Sequence, residues 1–281
     1  MVCKELKDPN YSAIIARKLA TVHQLNVPIN KEATWLVETF QSWLAQVRNY
    51  QRPKTVEKVH PLERELLAFD FEGEWARLVR LLATVPSPIV FCHNDLQEGN
   101  ILLPADVTSS SDLLKIAGGK ASSSTQNLDD HIVFIDFEFC AYNYRGFDLG
   151  NHFCERMFDY NNEAWPHFHA YMEEFPGEEE MRRFIGEYLR QSAEMGIAVD
   201  EQLDTEEHLL REAEFYALAS HFLWILWSIN NARNSKIAFG YLVCAAVLIL
   251  LPGFFTYFSL SYFHRSTARR GCRRTTPTRP T

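Results

Sequence analysis

The sequence predicts an α+β fold in which a mostly helical lobe carries a small β-hairpin. Apolar residues recur at helical spacing through most of residues 11–49 and again between about 150 and 241. Two short apolar runs, at 101–103 and 131–135, flank a Ser-, Gly- and Asp-rich stretch over 104–130 that predicts an exposed connection. We expect the ends of this hairpin, rather than its tip, to carry the chemistry.

The helices are predicted one after another along the chain. Between 11 and 25, for example, Ile14, Leu19 and Val22 fall on one face. A polar segment over 50–60 indicates a loop. The helix that follows this loop is predicted to end before Pro86, because proline cannot continue a helix. The predicted helices cover residues 11–25, 32–49, 62–83 and about 204–232.

Charge and cysteine usage exclude several classes of protein. Residues 264–281 hold six arginines and no acid, so 1–263 carry a formal charge of −14. An acidic body argues against a nucleic-acid partner, since phosphate contacts need a basic face. The six cysteines form no CxxC pair, so neither a zinc site nor a disulfide framework is expected. The first thirty residues contain no apolar signal segment, and a cytoplasmic location is predicted.

Two polar motifs have the spacing that phosphoryl transfer requires. His93, Asp95 and Asn100 form an H-N-D-x-x-x-x-N pattern after an apolar run, and Asp136 follows a second apolar run about forty residues later. Such a set supplies one carboxylate for the attacking hydroxyl and two oxygen ligands for Mg²⁺. A lone Asp in a loop more often caps a turn. The two motifs together, in this order, favour catalysis.

Three longer stretches carry a resemblance to a known family. They are residues 91–102, residues 142–155 and residues 219–224, the last reading Ala-Ser-His-Phe-Leu-Trp. Across residues 5–241 the chain resembles the choline/ethanolamine kinases, relatives of the protein kinases and aminoglycoside phosphotransferases, and it is most similar to the choline branch. The resemblance implies a protein-kinase-like fold, with ATP and Mg²⁺ as cofactors.

The resemblance also implies roles for residues of the catalytic loop. Asp95 would be the catalytic base, Asn100 and Asp136 the magnesium ligands, and Gln97 a further residue on the cofactor side. Three residues would support the loop without touching substrate: His93, Arg145 and Asp148.

A second set of residues is expected to hold the substrate. Choline carries a quaternary ammonium, which proteins hold by negative charge and by the faces of aromatic rings. Trp224 and Trp227 lie three apart on a predicted helix and so share a face, an arrangement that also suits ordinary core filling. The residues predicted to line the choline pocket are Glu155, Tyr160, Trp224, Trp227, Phe239 and Tyr241.

The chain departs from the family at both ends. The family's strand-rich N-terminal lobe, with its lysine, has no counterpart in the sequence, so weak ATP affinity and little or no turnover are expected. Residues 1–241 are predicted to form the catalytic-loop lobe and 242–281 a divergent tail. Residues 237–263 hold no charge, which leaves open a membrane anchor through 242–263 or a tail of no function; the Arg-rich end argues against the anchor.

Three functions remain open from the residues. The first is ATP-dependent phosphorylation of choline, or of ethanolamine, as the first step toward phosphatidylcholine. The second is a catalytically impaired lobe that regulates or pairs with full-length kinase, as a homodimer or a heterodimer. The third is an aminoglycoside phosphotransferase, which would share Asp95, Asn100 and Asp136 but gives no reason for Trp224 and Trp227.

Overall fold

The computed structural model describes residues 1–51, 66, 68–104, 107 and 132–250. Residues 1–249 form one compact unit. Most of the predicted insert over 104–130 and the tail from 251 onward lie outside the described residues.

Helices make up most of the described chain. Several begin at side-chain caps, which satisfy backbone N–H groups that have no partner within the helix. Asp8 accepts hydrogen bonds from the amides of Asn10 and Tyr11 before the first helix, and Thr205 accepts one from the amide of His208 at the start of the longest. The helices are α1 (Pro9–His23), α2 (Trp35–Gln51), α3 (Phe71–Leu82), α4 (Arg145–Glu155), α5 (Glu178–Glu194), α6 (Glu206–Asn234) and α7 (Tyr241–Leu250).

Part of the helix predicted over 62–83 lies outside the described residues, and the described part contains the helix Phe71–Leu82. Asp70 accepts a hydrogen bond from the amide of Gly73 and caps the start of α3. The carboxylate thereby satisfies an N–H group that has no partner within the helix.

Short antiparallel strand pairs position the loops. The strands are β1 (Ile89–Cys92), β2 (Ile101–Leu102), β3 (Val133–Phe134), β4 (Ala141–Tyr144), β5 (Phe158–Asp159) and β6 (His169–Ala170). The predicted hairpin is confirmed, since Ile101 lies opposite Phe134 in the β2–β3 pair. Strand β1 pairs with β4, with Cys92 opposite Ala141. This second pairing places the segment after β1 beside the segment before β4.

The core is built around two helix contacts, α1 against α5 and α4 against α6. Helix α4 is buried over its whole length. Glycines allow α4 to approach α6 closely: a Cβ on Gly150 would lie 2.5 Å from the backbone nitrogen of Ala217. The helical lobe therefore has a central helix, α4, with no solvent-facing side.

Helix α7 is formed by residues that the sequence analysis assigned mostly to a divergent tail. The compact unit nevertheless runs through Ile249, and α7 buries Tyr241, Cys244 and Leu248. An apolar helix lacking a polar face needs burial on more than one side. Across the described ranges, no helix combines the length and apolar character needed to cross a bilayer.

Candidate active site

The two predicted motifs meet at the ends of β1 and β3. The His93 ring donates from Nε2 to the carbonyl of Ile135 at 2.9 Å, and the Asn94 amide donates to the carbonyl of Phe139 at 2.9 Å. Asn94 and Asp136 both have left-handed backbones, with φ of 67° and 62°. Such conformations in non-glycine residues cluster at functional sites, because the surrounding contacts must hold them.

Asp95 and Asn100 are in direct contact. The Asn100 Nδ2 group donates to the backbone carbonyl of Asp95 at 2.8 Å and to its carboxylate at 3.1 Å. Burial, together with the charges of Asp136, Glu138 and Asp148, raises the pKa of Asp95 to about 7 against the lowering effect of the Asn100 hydrogen bond. The site thus concentrates carboxylates where a cation would relieve their repulsion.

The donor set fits Mg²⁺, which prefers oxygen ligands and often takes only one or two carboxylates beside substrate phosphates. Asp136 and Asn100 supply a carboxylate and an amide oxygen next to Asp95. Among the described residues, three His, Cys, Asp or Glu ligand atoms come within 4.8 Å of one another only at His23, Cys92 and Asp148.

The cluster of His23, Cys92 and Asp148 is a brace: its hydrogen bonds hold the backbone of the loop at His93 and Asn94. Asp148 accepts hydrogen bonds from the backbone N–H of His93 at 2.7 Å, the N–H of Asn94 at 2.6 Å and the His23 ring at 3.1 Å. Burial would raise its pKa, but the bonds and charges of His23 and His93 hold the pKa below the ordinary value. Burial also raises the pKa of Cys92 well above its usual range, so its sulfur stays a thiol. With both Asp148 oxygens occupied, the group does not suit a metal.

Arg145 supports a different part of the fold. Its guanidinium donates to Glu212 at 2.6 Å and to Asp204 at 2.6 Å, and its backbone N–H donates to the carbonyl of Pro88. It therefore joins the start of β1 to helix α6. Its side-chain contacts in the described chain are with the segment before α6 and with Glu212, whereas His93 and Asp148 contact the loop itself.

A cavity of about 400 Å³ extends from the carboxylates to an aromatic wall. Trp224 and Trp227 lie on it edge to face, with ring centroids 5.6 Å apart. Tyr241 is not part of the lining; its ring packs against Trp227 and Phe239 from behind, at 5.4 and 4.9 Å. The predicted residues that line the cavity are Asp95, Gln97, Asp136, Glu155, Tyr160, Trp224, Trp227 and Phe239.

Glu155 is a buried carboxyl group beside the aromatic wall of this cavity. The Tyr160 hydroxyl donates to its carboxylate at 3.0 Å. Burial raises the pKa of Glu155 well above the ordinary value, the charge of Asp95 adds to the effect, and the Tyr160 bond opposes it. A carboxylate held this way, between aromatic rings, is suited to an organic cation.

The sequence analysis did not single out several residues in the cavity wall or in contact with it. Phe139 lines the cavity and packs edge to face on Trp224, with centroids 5.8 Å apart. Asn151, which is not among the lining residues, accepts hydrogen bonds from the Trp224 indole at 2.8 Å and from Ser220 at 2.7 Å. Asn151 lies within residues 142–155, one of the three stretches that carry the family resemblance, and this position was the sequence signal that could have identified it. Cys244 and Leu248 of α7 line the cavity as well. The sequence could not identify them, because the residues around them are uniformly apolar.

Comparison with known proteins identifies the family of the chain. The family model for choline/ethanolamine kinase matches residues 1–249. The chain is 42% identical to mouse choline kinase alpha over 243 residues, covering 85% of the chain and 49% of that protein. It is also 42% identical to a human choline/ethanolamine kinase over 241 residues, again covering 85% of the chain and 55% of the relative.

A solved structure shows the same fold. The crystal structure of choline kinase from Cryptosporidium parvum Iowa II matches with a TM-score of 0.64 at 22% identity, over 95% of this chain and 69% of that one. The chain spans about half the length of the curated relatives it matches. With the family model matching residues 1–249, the chain belongs to the choline/ethanolamine kinase family.

Proposed function

We propose that this chain carries the acceptor side of an ATP-dependent kinase that phosphorylates the hydroxyl of choline, and of ethanolamine less readily. One observation carries the proposal: Asp95 and the aromatic wall with its buried Glu155 line the same cavity. A choline molecule seated there would point its hydroxyl at the carboxylate of Asp95 and its ammonium at the rings.

The substrate class follows from the chemistry of the wall. A quaternary ammonium donates no hydrogen bond, and Trp224 with Trp227 offers ring faces while Glu155 offers charge. A primary ammonium would instead donate to Glu155 and Tyr160, which accounts for ethanolamine as a second substrate. An aminoglycoside carries several ammonium groups and gains little from two tryptophans and one buried carboxylate.

The catalytic residues act chiefly by position. Asp95 would accept the hydroxyl proton as the oxygen attacks the terminal phosphate, while the Asn100 amide fixes the carboxylate through its 3.1 Å bond. Asp136 and Asn100 would hold Mg²⁺, which neutralises the charge that develops on the phosphates. Gln97 lines the cavity, and its side-chain oxygen accepts a hydrogen bond from the amide of Gly99 at 2.7 Å; it would face the cofactor.

The test measures choline binding and phosphocholine formation by the 281-residue chain with MgATP. Choline should bind by calorimetry in preference to kanamycin, and any phosphocholine formed should vanish in Asp95→Ala. Asp200→Asn, at an exposed carboxylate outside the cavity, is the matched control and should behave as the parent chain. A chain that prefers kanamycin, or an Asp95→Ala chain with an unchanged rate, would contradict the proposal. Choline binding with no product would restrict this chain to the substrate-binding part.

A further inference from the structure

The cavity has a closed end beyond the aromatic wall. Four residues that line it there are buried: Ser228 and His221 of α6 are 0% and 1% exposed, and Leu248 and Cys244 of α7 are 2% and 7% exposed. The opposite end, at Asp136 and Glu138, is exposed to solvent. A ligand with its hydroxyl at Asp95 would therefore place its ammonium substituents toward the closed end.

This end is uncharged. Burial lowers the pKa of His221 to about 3 and raises the pKa of Cys244 to about 12, so the ring is neutral and the sulfur is a thiol at neutral pH. Leu248 adds an aliphatic side chain. Among the described lining residues a cation would find no counter-charge here beyond Glu155, whereas an alkyl group would be removed from water.

Helix α7 sets how far the cavity extends. Tyr241 packs on Trp227 and Phe239 and donates a hydrogen bond to Ser235 at 2.8 Å, which fixes the start of the helix. Cys244 follows three residues later and is close enough to Glu155 for that charge to raise its pKa. The side chain that faces the ammonium position from α7 is therefore a small one.

We propose that the closed end is a subsite for one N-substituent longer than methyl, with Cys244 and Leu248 as the residues that set its size. The ligands of this class are N-alkyl-N,N-dimethylethanolammonium ions, that is, choline with one methyl group replaced by a longer alkyl group. The inference rests on the proposed function, because it assumes that Glu155 and the tryptophans seat the ammonium.

Isothermal titration calorimetry of the full chain with choline and with its N-butyl-N,N-dimethyl analogue tests the proposal. The analogue should bind at least as tightly as choline. Its affinity should be higher by up to about fourfold for each methylene that the subsite buries. Absence of choline binding would refute the proposed function itself. Choline binding with an analogue that binds more weakly than choline would refute only the subsite, since an apolar space open to the butyl group gives no reason for a loss of affinity.

Variants at the subsite separate size from thiol chemistry. Cys244→Phe should shift the preference toward choline by at least about fivefold, because a larger side chain overfills the closed end. Cys244→Ala removes the thiol and enlarges the closed end, so it should shift the preference toward the butyl analogue, the opposite direction from Cys244→Phe. Leu248→Ala should shift the preference toward the butyl analogue, and it gives an independent answer where the phenylalanine variant does not fold, as judged by thermal melting. A preference that moves in neither Cys244→Phe nor Leu248→Ala would overturn the assignment.

Discussion

Replacing Asp148 by asparagine should destabilise the protein far more than the same change at an exposed aspartate. Asp148 is fully buried, and its two oxygens accept three N–H donors, from His93, Asn94 and His23. Asparagine keeps one acceptor oxygen and places an NH₂ group where the other oxygen was. One backbone N–H then faces a donor instead of an acceptor.

The size of the loss follows from these contacts. A buried N–H group without a partner costs about 1–3 kcal/mol, and losing the charge on the remaining bonds costs about 1 kcal/mol more. The free energy of unfolding should therefore fall by about 2–4 kcal/mol in Asp148→Asn. Urea denaturation followed by circular dichroism measures it.

Asp200→Asn is the matched control, because Asp200 also accepts two backbone N–H groups, those of Gln202 and Leu203, but at the surface. Water can replace those bonds, so this variant should unfold close to the parent. A loss in Asp148→Asn no greater than in Asp200→Asn would show that the brace is not what stabilises the loop.

The loss should also have a defined pH range. The pKa of Asp148 in the folded protein lies below the ordinary value of about 3.9. A group with a lowered folded pKa contributes stability that is present above the unfolded pKa and lost as the pH falls through the folded one. The difference between parent and Asp148→Asn should hence be constant above about pH 5 and shrink only in stronger acid.

Two further predictions concern packing and the cation site. Gly150→Ala should lower the free energy of unfolding by about 1–3 kcal/mol or more, because its Cβ would meet the backbone of Ala217 at 2.5 Å; Gly186→Ala, in a helix with no atom within 4 Å of the new Cβ, should instead raise it by about 0.5–1 kcal/mol. Choline affinity should rise with pH through the raised pKa of Glu155, since the cation needs the ionised carboxylate. Glu155→Gln should bind choline more weakly and with a smaller pH dependence, because the titration of Asp95 in the same cavity remains. Urea titrations and calorimetry at several pH values measure these effects, and equal losses at both glycines, or an unchanged pH slope in the glutamine variant, would contradict them.

Local patterns in the sequence predicted the parts of the fold that local forces decide. Helix α1, predicted over 11–25, spans Pro9–His23, because its apolar stripe and its Asp8 cap lie within the same few residues. The β2–β3 hairpin was predicted from its β-branched runs. The β1–β4 pair was not, since the strand Ala-Tyr-Asn-Tyr at 141–144 is only four residues long and contains an asparagine, a residue depleted in strands.

The candidate site divides in the same way. Asp95, Asn100 and Asp136 were found because they sit in two short motifs. The contact of His23 with Asp148 joins residues 125 positions apart, and nothing in either neighbourhood predicts it. Helix α7 was predicted largely as part of the tail. An uninterrupted run of apolar residues has no periodicity, so the sequence does not distinguish a buried helix from an unstructured or membrane-spanning segment.

Helix α4 connects the two halves of the proposed site. Asp148 holds the backbone of the loop before Asp95, and Asn151, one turn later on α4, accepts the indole N–H of Trp224 in the pocket wall. Glu155, a further turn along, supplies the buried carboxylate. Residues at spacings of three and four share one helix face, so a single rigid helix fixes the separation between Asp95 and the proposed cation site. A shift of α4 would move both ends together, which is why we expect Gly150→Ala to weaken choline binding as well as folding.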